Sequence, residues 1–134
     1  MLYTQTLLEH FQDPRNVGEI PNADGVGEVQ EPACGDFLRI WIRVEDEHIA
    51  DIKFKCKGCP ASIATASVLT EMAKGMHVDD AAEITDAMVA EAIGGLPLEK
   101  MHCSNLGAQA LWLAIEDFVF RPIKTQTTNG AESR

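Results

Sequence analysis

Phe37-Leu38-Arg39-Ile40-Trp41-Ile42-Arg43-Val44 alternates strictly, with Leu38, Ile40, Ile42 and Val44 on one face and both arginines on the other. A repeat of two along such a stretch predicts a half-buried strand. Glu45-Asp46-Glu47-His48 then supplies a polar turn, and Ile49 to Cys56 resumes the alternation with Ala50, Ile52, Phe54 and Cys56 on a common face. The two runs predict an antiparallel hairpin.

Upstream of this hairpin, Asn16 to Gln30 is rich in Gly, Pro, Asn and Asp and reads mostly as loop, with a short possible strand over Val26–Gln30. Thr4 to Phe11 places Leu7, Leu8 and Phe11 at helical spacing, and Asp13-Pro14 ends that helix. Downstream, Pro60 suits a first helical turn, Ile63, Val68, Leu69 and Met72 supply its apolar positions, and Gly75 suits its end. Two short helices are expected over Val78–Glu83 and Asp86–Ile93, the second stopped by Gly94-Gly95. An extended loop, Leu96-Pro97-Leu98-Glu99-Lys100, leads to a last helix over Ser104–Phe120, with Leu106, Ala110, Leu113 and Ala114 as its core side and Pro122 as its stop. Strands first and helices after predict an α+β fold: a small antiparallel β-sheet of about three strands covered on one face by helices, with an N-terminal helix. Residues 1–124 form the expected single domain, and the polar residues 125–134 are expected to be a disordered tail.

A chain of 134 residues that is 46% hydrophobic can bury one modest core. Its formal charge of −10, from 21 acidic and 11 basic residues, argues against a nucleic-acid surface and favours partners with a basic patch. No apolar run is long enough to cross a membrane as a helix, and the first residues do not read as a secretory signal. A cytoplasmic location is expected. Its four cysteines are then reduced, which favours metal binding or thiol chemistry over disulfides.

Three of those cysteines share a setting. Cys34 lies in Pro32-Ala33-Cys34-Gly35-Asp36 before a strand, Cys59 in Lys57-Gly58-Cys59-Pro60 at a helix start, and Cys103 in Lys100-Met101-His102-Cys103-Ser104 at another. A free cysteine is often only a small buried hydrophobe, but three at the edges of elements suggest converging ligands. The positive end of a helix stabilises a thiolate, so Cys59 and Cys103 are expected to be activated. Asp36 and His102, each within two residues of a cysteine, offer an oxygen or nitrogen as a fourth ligand. A hard carboxylate matches iron in a sulfide cluster poorly and predicts lability, while the same thiols would hold tetrahedral zinc. Cys56 shares its face with Ile52 and Phe54 and is expected in the core, although Cys56-Lys57-Gly58-Cys59 also fits a C-x-x-C redox motif. His10, His48 and His77 are expected at the surface.

Asp13-Pro14-Arg15-Asn16-Val17-Gly18, Ala33-Cys34-Gly35-Asp36, Gly58-Cys59, Ala61-Ser62-Ile63-Ala64, Leu69-Thr70-Glu71 and Lys100-Met101-His102-Cys103-Ser104 stand in the order seen in one family. Through them the chain resembles the U-type iron–sulfur scaffolds, IscU and the N-terminal domain of NifU, from about Tyr3 to Phe120. The resemblance implies a scaffold, not a turnover enzyme, that accepts iron, and sulfur from a cysteine desulfurase, builds a labile [2Fe–2S] cluster and passes it to apo iron–sulfur proteins. It implies Cys34, Cys59 and Cys103 as ligands, Asp36 and His102 as alternative fourth ligands, and Cys103 as the persulfide acceptor. It further implies that Lys100 pairs with Asp36, that Tyr3 belongs to dimer contacts, and that ferredoxin, a frataxin-like protein and a specialised Hsp70 with its J-protein are partners.

Two departures bear on these implications. The family's Leu-Pro-Pro-Val-Lys chaperone motif is replaced by Leu96-Pro97-Leu98-Glu99-Lys100, and the loss of a proline and gain of a charge argue against chaperone recognition. Cys56 is the second, as an extra thiol for sulfur relay or ligation. Two other functions compete: a zinc-bound sulfur acceptor like the SufU relatives, and a small oxidoreductase using Cys56 and Cys59. The SufU relatives carry an insertion between the second and third ligand cysteines, whereas beyond the helix that opens at Pro60 the interval from Cys59 to Cys103 here accommodates only two short helices and a loop.

Overall fold

The computed structural model describes residues 3–31 and 35–128. Its elements run α1 (Gln5–Gln12), β1 (Gly25–Glu31), β2 (Asp36–Glu45), β3 (His48–Lys57), α2 (Pro60–Ala73), α3 (Val78–Ala81), α4 (Asp86–Ala92), a 3-10 turn (Leu98–Lys100) and α5 (Met101–Thr128). The three strands form one antiparallel sheet in the order β1-β2-β3. The expected α+β class is therefore the observed one. No helix among the described residues is long and apolar enough to cross a membrane.

Leu38, Ile40 and Ile42 of β2 and Ile52 and Phe54 of β3 are buried together against Ala66 and Leu69 of α2 and Ala110, Leu111 and Ala114 of α5. The period-two pattern thus faces the helices, as apolar alternation requires when one side of a sheet packs on a core. One position departs from it. The register slips between Arg43 and Val44, so that Val44 pairs with Ile49. A bulge adds one residue to one strand and reverses the parity beyond it. Ile49, not Ala50, consequently enters the core, and Ala50 faces solvent.

The segment expected to be mostly loop does more than connect. Gly18 N–H donates to the Phe54 carbonyl and Phe54 N–H to that of Asn16, both at 2.9 Å, so residues 16–18 run along the free edge of β3. An edge covered this way cannot recruit a foreign strand. Ile20 and Ala23 then cross the outer face of the sheet and bury Trp41 with Val26.

α5 lies so close to β1 that a Cβ on Gly27 would stand 2.2 Å from the Ala110 carbonyl oxygen, and one on Gly25 2.2 Å from that of Ala114. Backbone cannot yield as a flexible side chain does. Gly27→Ala should lower stability by about 3 kcal/mol, at the upper end for overpacking, read as a fall in the denaturant midpoint.

α2 is buried on most of its circumference and is built from Ala, Ser and Thr, which allow close approach. Its hydroxyls are paired: Thr65 donates to the Ser62 carbonyl, Thr70 to that of Ser67, and Asn16 to Thr70. His10, expected at the surface, is only 7% exposed. Its Nδ1 lies 2.7 Å from Ser67 Oγ, which also accepts from the Arg15 N–H, and its Nε2 faces Glu71 at 3.5 Å. A helix that is amphipathic by its leucines thus also turns a histidine inward, because α2 presents a hydroxyl to receive it.

Burial first, and then the Arg15 charge, lower the His10 pKa against the opposing effects of Glu71 and Glu9. The folded state therefore prefers the neutral ring, while the unfolded chain takes up a proton near the ordinary pKa of about 6.5. Stability should fall as pH drops below that value, until the folded-state pKa is passed. His10→Asn should flatten this part of a plot of Tm against pH.

Past α2 the helical segments are close to expectation but shifted. α3 stops at Ala81 rather than Glu83, and α4 is capped by Thr85 and ends before Gly94 and Gly95, both at positive φ. Residues 98–100, expected to be extended loop, wind into a 3-10 turn that leads directly into α5. α5 accordingly begins three residues before the expected Ser104 and continues through Pro122 to Thr128. The expected tail from 125 thus begins in helix, and residues 129–134 lie outside the described residues.

Candidate functional site

The strongest convergence of reactive side chains lies where β2 begins and α2 and α5 start. Cys59 is the N-cap of α2, with Pro60 following it at the first helical position. Proline there gives up an N–H that would have no helical partner and fixes φ for the helix, so the sequence sets this start locally. Cys103 lies one turn into the neighbourhood of Leu7, Ala61, Ala64, Val68 and Ile93, an apolar cluster that Tyr3, Cys59 and Leu96 border. Asp36 opens β2.

The Cys59 and Cys103 sulfurs are 3.8 Å apart. Two thiolates on one tetrahedral metal with arms of about 2.3 Å stand about 3.8 Å from each other. The pair is thus already at metal-sharing distance. Ser62, 4% exposed and one helical turn after Cys59, sits among the candidate ligands. Its Oγ is 3.4 Å from Asp36 Oδ2, 3.4 Å from Cys103 Sγ and 3.5 Å from Cys59 Sγ. Gly58 makes room for this arrangement: a Cβ there would lie 2.9 Å from Ser62 Cβ and 3.0 Å from Asp36 Oδ2.

The two thiols differ electrostatically. Burial opposes ionisation of Cys59, but the hydrogen bonds of the Ser62 hydroxyl and of Cys103, with the adjacent N–H groups of Ser62 and Ala61, outweigh it and lower its pKa. Cys103 goes the other way: burial, against help from Ser62 and with Cys59 beside it, pushes its thiol up to about 11. Of the two, Cys59 is thus the thiol that ionises more readily and Cys103 the one that holds its proton more firmly. The expectation that a helix start activates both holds for Cys59 and fails for Cys103, which is the third residue of α5 and only 1% exposed. Burial is the largest cause of the upward shift there.

Lys100 also differs from expectation. Its pKa is raised chiefly by Cys59, then by Tyr3, with Cys103 adding to it. Among the ion pairs of the described residues there is none between Lys100 and Asp36; the ammonium is instead favoured by charge on Cys59. Leu98, two residues before it, is 88% exposed.

Cys56 packs at the border of the main core, across from Leu38 in the sheet. Burial, then the charges of Asp36, Cys59 and Cys103, push its thiol up to about 12. A protonated, core-facing thiol fits the expected core role and is a poor nucleophile for a C-x-x-C exchange.

Of the five expected site residues, Asp36, Cys59 and Cys103 are brought together. Cys34 lies outside the described residues, as does the His102 side chain. Among the described residues, no three His, Cys, Asp or Glu groups already stand in a metal-holding arrangement; Asp36 reaches the thiols through Ser62. Ser62 was not singled out from the sequence as a site residue. Its signal is the third helical position after a capping residue, the place from which a polar side chain reaches back to the N-cap.

Residues 2–125 match the model of the NifU-like N terminal domain. The chain is 56% identical over 117 residues to the iron–sulfur cluster assembly scaffold protein IscU 1 of Archaeoglobus fulgidus, covering 87% of this chain and 76% of that protein. It is 44% identical over 121 residues to the IscU scaffold protein of Aquifex aeolicus, covering 89% and 77%. The fold is shared with the N-terminal part of a NifU-like protein from Brucella abortus, with a TM-score of 0.70 at 18% identity over 86% of this chain and 92% of that one. A match across nearly the whole described chain, together with identity of this order, leaves one conclusion: the chain belongs to the NifU-like N-terminal domain family, whose relatives here are cluster-assembly scaffolds.

Proposed function

We propose that this chain is an iron–sulfur cluster assembly scaffold, which receives iron and sulfur, builds a labile [2Fe–2S] cluster and hands it to apo-proteins. The observation that carries the reading is the pair of sulfurs 3.8 Å apart, with the Asp36 carboxylate reaching them through the Ser62 hydroxyl. Cys34, Cys59 and Cys103 are the proposed ligands. Asp36 and His102 are the proposed alternative fourth ligands. The cluster is the cargo of this site.

Sulfur would arrive on Cys103 from the persulfide of a cysteine desulfurase. For that, the Cys103 thiol gives up its proton, which Cys59 accepts when ionised; the Cys103 thiolate then attacks the outer sulfur of the donor persulfide, and the desulfurase thiolate leaves. Lys100 beside the pair favours the negative charge throughout. The acidic chain suits a donor with a basic docking surface.

The test is anaerobic reconstitution with ferrous iron, cysteine and a cysteine desulfurase, followed by visible absorbance and by iron and sulfide analysis. Two irons and two sulfides per site support the reading; protein that stays colourless and iron-free under these conditions contradicts it. The same sulfur spacing also suits zinc in a sulfur acceptor, and that second reading predicts one tightly held zinc and sulfur uptake without iron.

A further inference from the structure

The hydroxyl of Ser62 has one proton and three takers. It lies 3.4 Å from Asp36 Oδ2, 3.4 Å from Cys103 Sγ and 3.5 Å from Cys59 Sγ, and it is buried at the start of a helix that is itself enclosed. A hydroxyl can donate only one hydrogen bond at a time. Its donation must therefore be redistributed whenever one of those three groups takes up or gives up a metal.

From this we infer that Ser62 is a positioning residue for release: it donates to the Asp36 carboxylate when that ligand leaves the metal, and to a cysteine sulfur when the carboxylate binds. The inference rests on the proposed ligand roles of Asp36, Cys59 and Cys103. A departing carboxylate in a partly apolar pocket needs a donor to replace the lost metal bond, because an unpaired charged oxygen there is costly. Gly58 keeps the space between Ser62 and Asp36 free of a side chain, so nothing intervenes between the hydroxyl and the carboxylate. The Thr65 hydroxyl lies 3.0 Å from the Ser62 carbonyl oxygen and 3.3 Å from that of Cys103, within reach to donate to either, and so links the turn carrying Ser62 to the start of α5. Ser62 is thus linked to the segment that carries Cys103, while Asp36 stands on a separate element, at the first position of β2.

The experiment is zinc release to an excess of chelator from the zinc-loaded full chain, comparing wild type, Ser62→Ala, Asp36→Ala and the double variant. Zinc is used because it does not depend on cluster assembly. Without the hydroxyl the freed carboxylate loses this donor, and Ser62→Ala should release zinc about three- to tenfold more slowly, the span expected for one ordinary hydrogen bond. In the Asp36→Ala background the same substitution should have no effect, which a merely structural role would not produce. Equal release rates for wild type and Ser62→Ala, or an undiminished Ser62→Ala effect in the absence of Asp36, would overturn the inference and leave the scaffold reading standing. A wild-type chain that binds no zinc at all would remove the ligand site and the inference with it.

Discussion

Cys103→Ser should lose cluster assembly almost entirely, with iron retained after reconstitution falling by more than about 100-fold in affinity. Altering only the groups behind a metal ligand costs about 10–100-fold, and here a ligand sulfur itself is replaced by an oxygen that does not ionise at neutral pH. The substitution is close to isosteric, so the buried cluster of Leu7, Ala64, Val68 and Ile93 around it should persist. Circular dichroism should therefore report a folded chain while the visible absorbance of the cluster is absent. Because Cys103 is also the proposed sulfur acceptor, mass spectrometry after incubation with desulfurase and cysteine should find no persulfide adduct at this position. If Cys103→Ser assembled and transferred a cluster normally, the assignment of both roles to this residue would be wrong.

Asp36→Ala should give the second large effect, in the opposite sense. The carboxylate is the hard ligand of the proposed set, and its weak bond to iron in a sulfide cluster is where departure begins. Removing it leaves the fourth position to His102 or another donor, and transfer to an apo-acceptor should slow by about tenfold, or ~1.4 kcal/mol in the barrier. Transfer at an unchanged or faster rate would count against Asp36 as the ligand that governs release. Slowing here and slowing in Ser62→Ala have one origin, because both remove the partnership through which the carboxylate lets go.

Most of the fold was legible because its signals are local. The alternation of β2, Pro60 at the start of α2, and Gly94 and Gly95 after α4 each fix an element from within a few residues. What escaped was set by partners distant in sequence. Ala50 fails its parity because a bulge shifts the register against β2. His10 goes inward because Ser67, far along the chain, receives its ring nitrogen. α5 starts early because the 3-10 turn over residues 98–100 leads straight into it, and it continues past Pro122, which did not act as the stop expected of it.

The candidate site was legible to the same extent. Cysteines at element edges pointed to Cys59, Cys103 and the carboxylate of Asp36, which the fold brings to one place. The difference between the two thiols was not legible, because it depends on depth of burial, which a helix start does not specify. Ser62 was invisible as a site residue for a related reason: a serine early in a helix is ordinary until three candidate ligands are found around it.

The most direct test of the scaffold account is transfer itself. The reconstituted chain, freed of excess iron and sulfide, is mixed anaerobically with an apo [2Fe–2S] acceptor protein in the presence of an iron chelator, and the acceptor's cluster is followed by visible circular dichroism. The account predicts that the acceptor fills faster than it does from equal free iron and sulfide, with little iron lost to the chelator. An acceptor that stays empty while the chelator collects the iron would contradict it.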